Sequence, residues 1–184
     1  NGGTVTIRTT EVELSGTALG FSSGLFSSVV PNATGNGGTL TIDTQQLTIR
    51  DGAQISSATF GEGNGGTLTV RATDVELMGI SADGEATSGL FSSVQPTAIG
   101  DGGPLTVDTQ QLRISDGAEV RSATFGNGDA GNLEINATES ITLSGVSPIG
   151  GSRGGQSSRI SANTESTATG SGGDITINTP TIRL

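Results

Sequence analysis

The chain has 184 residues, of which 31 are glycine, and it contains no cysteine, histidine, tryptophan, tyrosine or lysine. Its net charge of −10 argues against binding to nucleic acid or to an anionic membrane surface, and the lack of cysteine excludes disulfides, zinc–thiolate sites and thiol nucleophiles. Only 31% of the residues are apolar, which is a poor supply for one compact core but sufficient for repeated strands that each bury a few side chains.

A repeat organises the whole chain. Residues 36–63 return almost unchanged as residues 101–128, and a looser relative of the pattern opens at Asn1, Asn64 and Asp129. Six units result, which alternate between a short form of about 28 residues and a long form of about 35 to 42. A period in this range is typical of solenoids. The units begin near Gly2, Gly37, Gly65, Gly102, Gly131 and Gly172.

Each unit is predicted to hold three short strands, which in the second unit are residues 39–42, 46–49 and 54–58. The first two alternate apolar and polar side chains, as half-buried strands require, and no helical periodicity is visible. Asp51-Gly52 and residues 63–66 supply corners. The predicted fold is all-β, a right-handed parallel β-helix (β-solenoid) with three strands per rung and about six rungs, alternately short and long. The handedness is the general expectation for parallel crossovers.

Alignment of the six units predicts the core. The first and second strands each offer two inward columns, and every member is aliphatic, so that stacked units would share a continuous dry core. The four columns are Val5/Leu40/Leu68/Leu105/Leu133/Ile175, Ile7/Ile42/Val70/Val107/Ile135/Ile177, Val12/Leu47/Val75/Leu112/Ile141/Ile182 and Leu14/Ile49/Leu77/Ile114/Leu143/Leu184.

The third strand is less regular. It is predicted to have one inward column of large side chains and, two positions further on, one column of small side chains that are either buried or at a sharp corner. The large column is Phe26/Ile55/Phe91/Val120/Ile160, and the small column is Ser28/Ser57/Ser93/Ser122/Ala162.

Outward positions are predicted to carry charge pairs between neighbouring units. Each exposed pair is worth about 0.2–1 kcal/mol, and the pairs favour the correct register because a slip of one unit would bring like charges together. The expected contacts are Arg8–Asp43–Arg71–Asp108, continued by Asn136 and Asn178, and Glu76–Arg113.

The extra residues of the long units fall between the second and third strands, at 17–22, 80–86 and 146–153. All three segments are predicted to emerge from one edge of the solenoid on alternate rungs. Loops on a rigid scaffold commonly serve recognition, and passive tolerance of insertions is the alternative. Phe21 is the one apolar loop residue expected either to be exposed or to fold over the end of the core.

The chain begins at a strand-opening glycine pair and stops inside the second strand of its sixth unit, and neither end has a capping element. Solenoids need such caps to protect open strand edges. Residues 1–184 are therefore predicted to be a single solenoid segment from the interior of a longer repeat protein, with further rungs at both ends.

Three phrases of the sequence resemble the repeat region of filamentous haemagglutinin-like exoproteins of two-partner secretion systems, in the form seen in cyanobacterial members. These phrases are GNGGTLTID, TIRDGAQISSATFGEGNGGTLTVRATDVEL and SGLFSSV. The resemblance covers essentially the whole chain. It implies a secreted right-handed β-helical protein that is exported unfolded through an outer-membrane partner barrel and displayed at the cell surface, where its usual role is adhesion or aggregation. The amino-terminal secretion domain of that family is not recognisable here, and the family supplies no catalytic residues.

Enzyme activity is not expected, because His, Cys and Lys, which normally serve as nucleophiles and bases, are absent. Asp43 and Asp108 are the best carboxylate pair, about 10 Å apart across two rungs. The intervening Arg71 would keep both ionised, which is unsuitable for a general acid. Gly-Asn-Gly-Gly corners are similar to calcium-binding nonapeptide repeats, but the aspartate of that frame is missing, so no cofactor is predicted and calcium is the weaker alternative.

Two functions remain open. The first is a structural or adhesive solenoid segment. The second is a solenoid that binds a ligand, either carbohydrate, such as cell-surface or matrix glycans, or ice, through the paired outward threonines, whose row breaks at Pro104, or through the loops of the long units. The scarcity of aromatic side chains favours the first. The candidate interaction surface comprises Thr39, Thr41, Thr67, Thr69, Phe21, Asp83, Glu85 and Arg153.

Overall fold

The computed structural model describes residues 1–148, 150–166 and 168–184, and this part of the chain is all-β, without a helix. Within it, no segment forms a helix that is long and apolar enough to cross a membrane. The strands are β1 (Val5–Arg8), β2 (Glu11–Ser15), β3 (Thr17–Ala18), β4 (Phe21–Ser22), β5 (Gly24–Val29), β6 (Leu40–Asp43), β7 (Gln46–Arg50), β8 (Gln54–Thr59), β9 (Leu68–Arg71), β10 (Asp74–Met78), β11 (Gly89–Val94), β12 (Leu105–Ser115), β13 (Glu119–Thr124), β14 (Leu133–Ser144), β15 (Arg159–Thr164), β16 (Ile175–Asn178) and β17 (Ile182–Arg183).

Two parallel sheets carry the stacked units. The larger sheet has ten strands, with the order β1-β6-β9-β12-β10-β7-β2, and β14 pairs with β12, β16 and β17. The smaller sheet has five strands in the order β15-β13-β11-β8-β5. A short antiparallel hairpin, β3–β4, stands apart. The strands predicted at 39–42, 46–49 and 54–58 coincide with β6, β7 and β8.

The fourth and fifth units differ from the prediction, because their first and second strands are continuous in β12 and β14. The register between these two strands shifts between Thr109 and Gln111, which absorbs the extra residue of the bend. The Thr109 hydroxyl donates hydrogen bonds to the carbonyl oxygens of Thr73 and Gln111 at this point. The two long strands thereby join the row of first strands to the row of second strands in one sheet.

The predicted aliphatic columns of the first two strands are confirmed. Strand pairing places the aliphatic residues opposite one another from unit to unit, as in the row Val5–Leu40–Leu68–Leu105–Leu133. In the four central units every member is buried except Leu143, which is half-buried. Side chains of the first and last units are more exposed, because each has a neighbouring unit on one side only; these are Val5, Ile175, Ile182 and Leu184.

The predicted register of the third strand was wrong in the first and third units, whereas Ile160 and Ala162 of the fifth unit lie where they were predicted. Parallel pairing aligns Leu25 and Leu90 with Ile55, and Phe26 and Phe91 lie one position further along, on the outer face. Side chains alternate along a strand, so only one residue of each Leu-Phe pair can face inward. Leucine fits an inward column whose other members are aliphatic. The observed column is Leu25/Ile55/Leu90/Val120/Ile160.

The small inward column is shifted in the same way, and its members are Ser27, Ser57, Ser92, Ser122 and Ala162. The predicted members Ser28 and Ser93 lie on the outer face instead. Three of the serines are fully buried, and each serine hydroxyl donates to the carbonyl oxygen of a glycine that opens the next unit. The four bonds are Ser27–Gly38, Ser57–Gly66, Ser92–Gly103 and Ser122–Gly131, with Oγ–O distances of 3.2, 2.5, 2.5 and 2.5 Å.

Substitution of Ser92 by alanine is expected to lower the free energy of unfolding by about 1–2 kcal/mol. The buried carbonyl oxygen of Gly103 would lose this donor, and no water can replace a hydroxyl inside the packed column. Urea unfolding of the variant measures the loss, with Ser115→Ala on the outer face of β12 as the matched control. Equal stability of the two variants would contradict a structural role for the serine column.

Glycines stack in close contact where successive units begin. A Cβ atom on Gly66 would lie 1.9 Å from the carbonyl oxygen of Gly38, and one on Gly103 would lie 2.0 Å from that of Gly66. Neither position needs a left-handed backbone, so the requirement for glycine there is purely steric. The carbonyl oxygens of Gly66 and Gly103 also accept hydrogen bonds from serine hydroxyls, and these bonds hold the turn in place.

A second row of side chains links the units at this corner. In each unit one side-chain oxygen accepts a hydrogen bond from the backbone N–H at the equivalent position of the next unit. The residues that supply this oxygen are Asn1, Asn36, Asn64, Asp101 and Asp129. The N–O distances lie between 2.7 and 3.1 Å. Asparagine and aspartate occupy the same row because only one side-chain oxygen is used.

The predicted charge ladder is confirmed in register and contact. Ion pairs join Arg8 to Asp43 at 3.4 Å, Asp43 to Arg71 at 3.5 Å and Arg71 to Asp108 at 3.7 Å. The amides of Asn136 and Asn178 continue the row by hydrogen bonds. The second predicted pair is only partly right. Glu76 lies opposite Arg113, but within the described residues the guanidinium of Arg113 forms its ion pair with Asp74, at 3.6 Å.

Candidate functional site

The outer face of the five-stranded sheet forms the floor of a cleft of about 320 Å³. One outward column across β5, β8, β11 and β13 supplies Phe26, Ser56, Phe91 and Arg121 in successive units. Phenylalanine comes from the long units, whereas serine or arginine comes from the short ones. The cleft therefore combines aromatic, hydroxyl and guanidinium groups on a rigid parallel sheet.

The walls of the cleft come from the long-unit segments. Two of them interlock, because the Glu85 carboxylate accepts hydrogen bonds from the backbone N–H of Ser152 at 3.1 Å and from its hydroxyl at 2.8 Å. The backbone N–H of Arg153 also donates to the carbonyl oxygen of Gly84 at 2.8 Å. Glu85 and Arg153, both predicted as surface candidates, line the cleft. Of the predicted segment 146–153, Ile149 lies outside the described residues.

The long segments are anchored on the Asp-Gly turns of the short units. Asp51 and Gly52 both have positive φ, as a tight turn of this kind requires, and the N–H of Gly52 donates to the hydroxyl of Ser88 at 2.9 Å. The next short unit repeats this bond between the N–H of Gly117 and the hydroxyl of Ser158 at 3.0 Å. The long segments of the third and fifth units thus pack over the turn of the short unit before them, which fixes the wall of the cleft to its floor.

Arg121 is the most unusual side chain in the cleft. Its side chain is only 14% exposed, and its guanidinium carbon lies 5.6 Å from the ring centre of Phe91 and 5.4 Å from that of Phe125. Within the described residues the guanidinium donates no hydrogen bond, and its Nε is buried without a partner. Burial lowers the pKa of Arg121, an effect that the charge of Glu119 opposes and those of Arg153 and Arg159 reinforce.

Glu119 is the anion closest to Arg121, and its carboxylate is shared. Its side chain is 2% exposed, and one oxygen accepts a 2.7 Å hydrogen bond from Arg159. The other oxygen is 3.8 Å from Arg121, which is beyond hydrogen-bonding distance. One buried carboxylate therefore serves two guanidinium groups and hydrogen-bonds to only one of them.

The predicted threonine surface lies on the other sheet. Thr41 and Thr69 are in register with each other and with Thr6 and Thr106. The four predicted residues, Thr39, Thr41, Thr67 and Thr69, are half-buried. The backbone N–H of the residue after Thr39 donates to the carbonyl oxygen of Thr67, so these two also stack. Because the rows belong to the ten-stranded sheet, the structure does not bring them together with the loop candidates. Strand propensity accounts for outward threonine without a ligand.

Two loop candidates stand outside the cleft. Phe21 is 78% exposed on the β3–β4 hairpin, which agrees with one of the two predicted placements. The expectation that it would be alone was wrong, because Leu19 at the tip of the same hairpin is 98% exposed. Asp83 lines a separate cavity, accepts hydrogen bonds from the Ser81 hydroxyl and the N–H of Glu85, and has a lowered pKa because of these bonds. Its role is to shape the loop.

Asp43 and Asp108 both face Arg71, as their spacing indicated. Among residues 1–148, 150–166 and 168–184, no group of three or more acidic side chains is close enough to hold a metal ion.

No family model, curated protein or solved structure matches the chain. The resemblance to filamentous haemagglutinin-like exoproteins therefore stays a prediction, and function has to be argued from the cleft.

Sequence analysis missed the residues that form the floor of the cleft. Phe26 and Phe91 were assigned to the core, and Arg121 and Glu119 were not selected. The signal was the Leu-Phe pair of the phrase SGLFSSV, since alternation allows only one of the two side chains to face inward. Alignment on leucine places both rings outside, in the column that contains Arg121.

Proposed function

We propose that the chain is a segment of a right-handed parallel β-helix with three strands per rung, which acts in attachment at a cell surface. Support comes from the unit-to-unit pairing of all three strand rows, since each row repeats the same register along the stack. The continuous aliphatic core and the charge ladder make such a segment a stiff support for whatever its loops display. Secretion through an outer-membrane partner barrel, and exposure on the outer face of that membrane, belong to the same proposal and rest on the resemblance alone.

The observation that carries the attachment role is the cleft between the long-unit segments and the five-stranded sheet. A purely structural solenoid has no need for a loop pair that is held together by side-chain and backbone hydrogen bonds 67 residues apart in sequence. Nor does it need a guanidinium kept in a concave, water-poor site at the cost of its solvation. Small ligands usually bind in concave sites that have a few polar groups among apolar ones. Among the molecules on cell surfaces, glycans are of a size that fits this cleft.

Attachment is tested with the chain immobilised on beads and applied to a glycan array and to cell-derived surfaces. The decisive variant replaces residues 79–87 by an Asp-Gly turn, which converts the third unit into the short form already present at Asp51-Gly52. We expect saturable attachment by the native chain and a loss of at least about tenfold in the variant, because one wall of the cleft is removed.

A matched control replaces Thr41 and Thr69 with serine on the opposite sheet, which should leave attachment unchanged. Circular dichroism and urea unfolding check that the shortened unit still folds. If the native chain shows no saturable binding to any surface, or if the shortened variant binds equally well, the attachment role is wrong and the segment is only a spacer.

A further inference from the structure

We propose that the cleft on the five-stranded sheet binds a sugar that carries a carboxylate, such as a uronic acid, with Arg121 and Arg153 as the groups that receive the carboxylate. This inference rests on the proposed role in attachment and specifies the ligand of the same site. The inference follows from the guanidinium of Arg121, which lines the cleft and donates no hydrogen bond within the described residues.

The first step is the state of Arg121. A guanidinium has five N–H donors, and in this mostly buried position Nε has no partner among the described residues, while the Glu119 oxygen that pairs with a terminal nitrogen is 3.8 Å away, beyond hydrogen-bonding distance. Buried polar groups in folded proteins are normally hydrogen-bonded, so a side chain of this kind indicates an acceptor that arrives with a ligand. Carboxylate and phosphate oxygens are the acceptors that match the planar fork of arginine.

The second step is that the carboxylates already present do not meet this demand. Glu119 hydrogen-bonds to Arg159, and Glu85 is engaged by the N–H and the hydroxyl of Ser152. Arg153 lines the same cleft from the loop side, and its guanidinium forms no ion pair within the described part of the chain. Two arginines with unfilled donors therefore face one cavity.

The third step concerns the rest of the ligand. Phe26 and Phe60 line the cleft with partly exposed rings, which suit the apolar face of a pyranose. Ser56 and Gln54 line the same cleft, and their hydroxyl and amide oxygen can hydrogen-bond to sugar hydroxyls, while the amide nitrogen of Gln54 is already bound to the carbonyl oxygen of Thr87. The buried hydroxyl of Thr87, which also lines the cleft, has no partner either. An acidic sugar uses all these groups.

The fourth step decides between weakly and strongly charged ligands. The chain as a whole carries a net charge of −10, which repels densely charged polyanions such as nucleic acids or polysulfated chains. Within the cleft Arg121 and Arg153 offset the charges of Glu85 and Glu119, and charges more than about 8 Å away are screened at physiological salt, so a single carboxylate meets little of this repulsion. The local arginines and the acidic remainder together favour one carboxylate on an otherwise neutral ring.

The test uses methyl glucuronide, its methyl ester and methyl glucoside as probes, with affinity measured by titration calorimetry or NMR shifts. The ester keeps the ring and the carbonyl group but lacks the negative charge, and the glucoside keeps the ring but has a hydroxymethyl group in place of the carboxylate. We expect the glucuronide to bind at least about tenfold more tightly than either. Arg121→Gln should abolish this preference, Arg121→Lys should restore part of it, and Arg113→Gln on the other sheet should change nothing.

Arg153→Gln provides a second variant that does not touch the packed floor, should Arg121→Gln fail to fold, and it is expected to weaken the glucuronide several-fold. Equal affinity for glucuronide and ester would overturn the proposal, as would a preference for glucose 6-sulfate over the glucuronide. Attachment to neutral glycans, with no preference for the acid, would leave the attachment role standing and refute only the carboxylate. Absence of binding to every glycan and surface would refute both.

Discussion

Replacement of Gly66 by alanine is expected to lower the free energy of unfolding by at least about 3 kcal/mol and can prevent folding altogether. The added Cβ atom would lie 1.9 Å from the carbonyl oxygen of Gly38 and 3.0 Å from its carbonyl carbon. Both atoms are backbone, so no side-chain rotation can relieve the overlap. The unit would have to move away from its neighbour, which breaks the strand pairs and the Ser57 hydrogen bond to the Gly66 carbonyl oxygen.

The chain contains its own control for this experiment. Gly3 occupies the equivalent position of the first unit, and a Cβ atom there meets no heavy atom within 4 Å. Gly3→Ala should therefore change stability by less than about 1 kcal/mol in the same urea titration. If Gly66→Ala proved as stable as Gly3→Ala, the close stacking of the glycine corners would be refuted.

Replacement of Glu119 by glutamine is expected to cost about 3 kcal/mol of folding stability. The neutral side chain has almost the same shape, but it leaves Arg121, which is mostly buried, without a counter-charge and leaves Arg159 only a neutral amide oxygen as acceptor. Removal of one partner from a buried ion pair is strongly destabilising because the remaining charge stays out of water. Urea unfolding at neutral pH measures this loss.

Two further variants separate charge from packing. Glu76→Gln removes a carboxylate that lies outside any ion pair of the described structure, and it should cost less than about 0.5 kcal/mol. The double variant Glu119→Gln with Arg121→Met should recover part of the loss, because it removes the stranded charge together with its partner. A Glu119→Gln variant as stable as Glu76→Gln would show that Glu119 does not neutralise Arg121.

The sequence predicted the core of the large sheet well because its signal is redundant. Every unit repeats an aliphatic–polar alternation in the first and second strands, and a single register satisfies all of them at once. The charge ladder was predictable for the same reason, since Arg8, Asp43 and Arg71 follow the strand end by the same spacing.

The third strand lacked that redundancy. In the first and third units two large apolar side chains, such as Leu25 and Phe26, stand next to each other and are followed by two serines, so both registers offer an apolar residue and a small one. Only the neighbouring units decide between them, and the ladder to Ile55 selects leucine. The cleft was missed as a consequence, because the wrong register turns the two aromatic side chains of its floor, Phe26 and Phe91, inward.

The sequence also could not predict which oppositely charged side chain each charged residue pairs with. Strand register placed Glu76 opposite Arg113 correctly, yet the guanidinium reaches Asp74 instead. Long flexible side chains choose among several carboxylates within reach, and exposed pairs differ by only a few tenths of a kcal/mol. Alignment of columns can therefore predict which residues are neighbours but not which of them form the ion pair.

The row of asparagine and aspartate side chains at the corners gives the stack a direction. Each unit offers a side-chain oxygen to the backbone N–H of the unit after it and receives nothing equivalent in return, from Asn1 through to Ser171. The two edges of a unit are therefore not equivalent, since one presents a side-chain acceptor and the other presents a backbone N–H. Two edges of the same kind cannot form this hydrogen bond with each other, so the corner row allows units to stack in one orientation only.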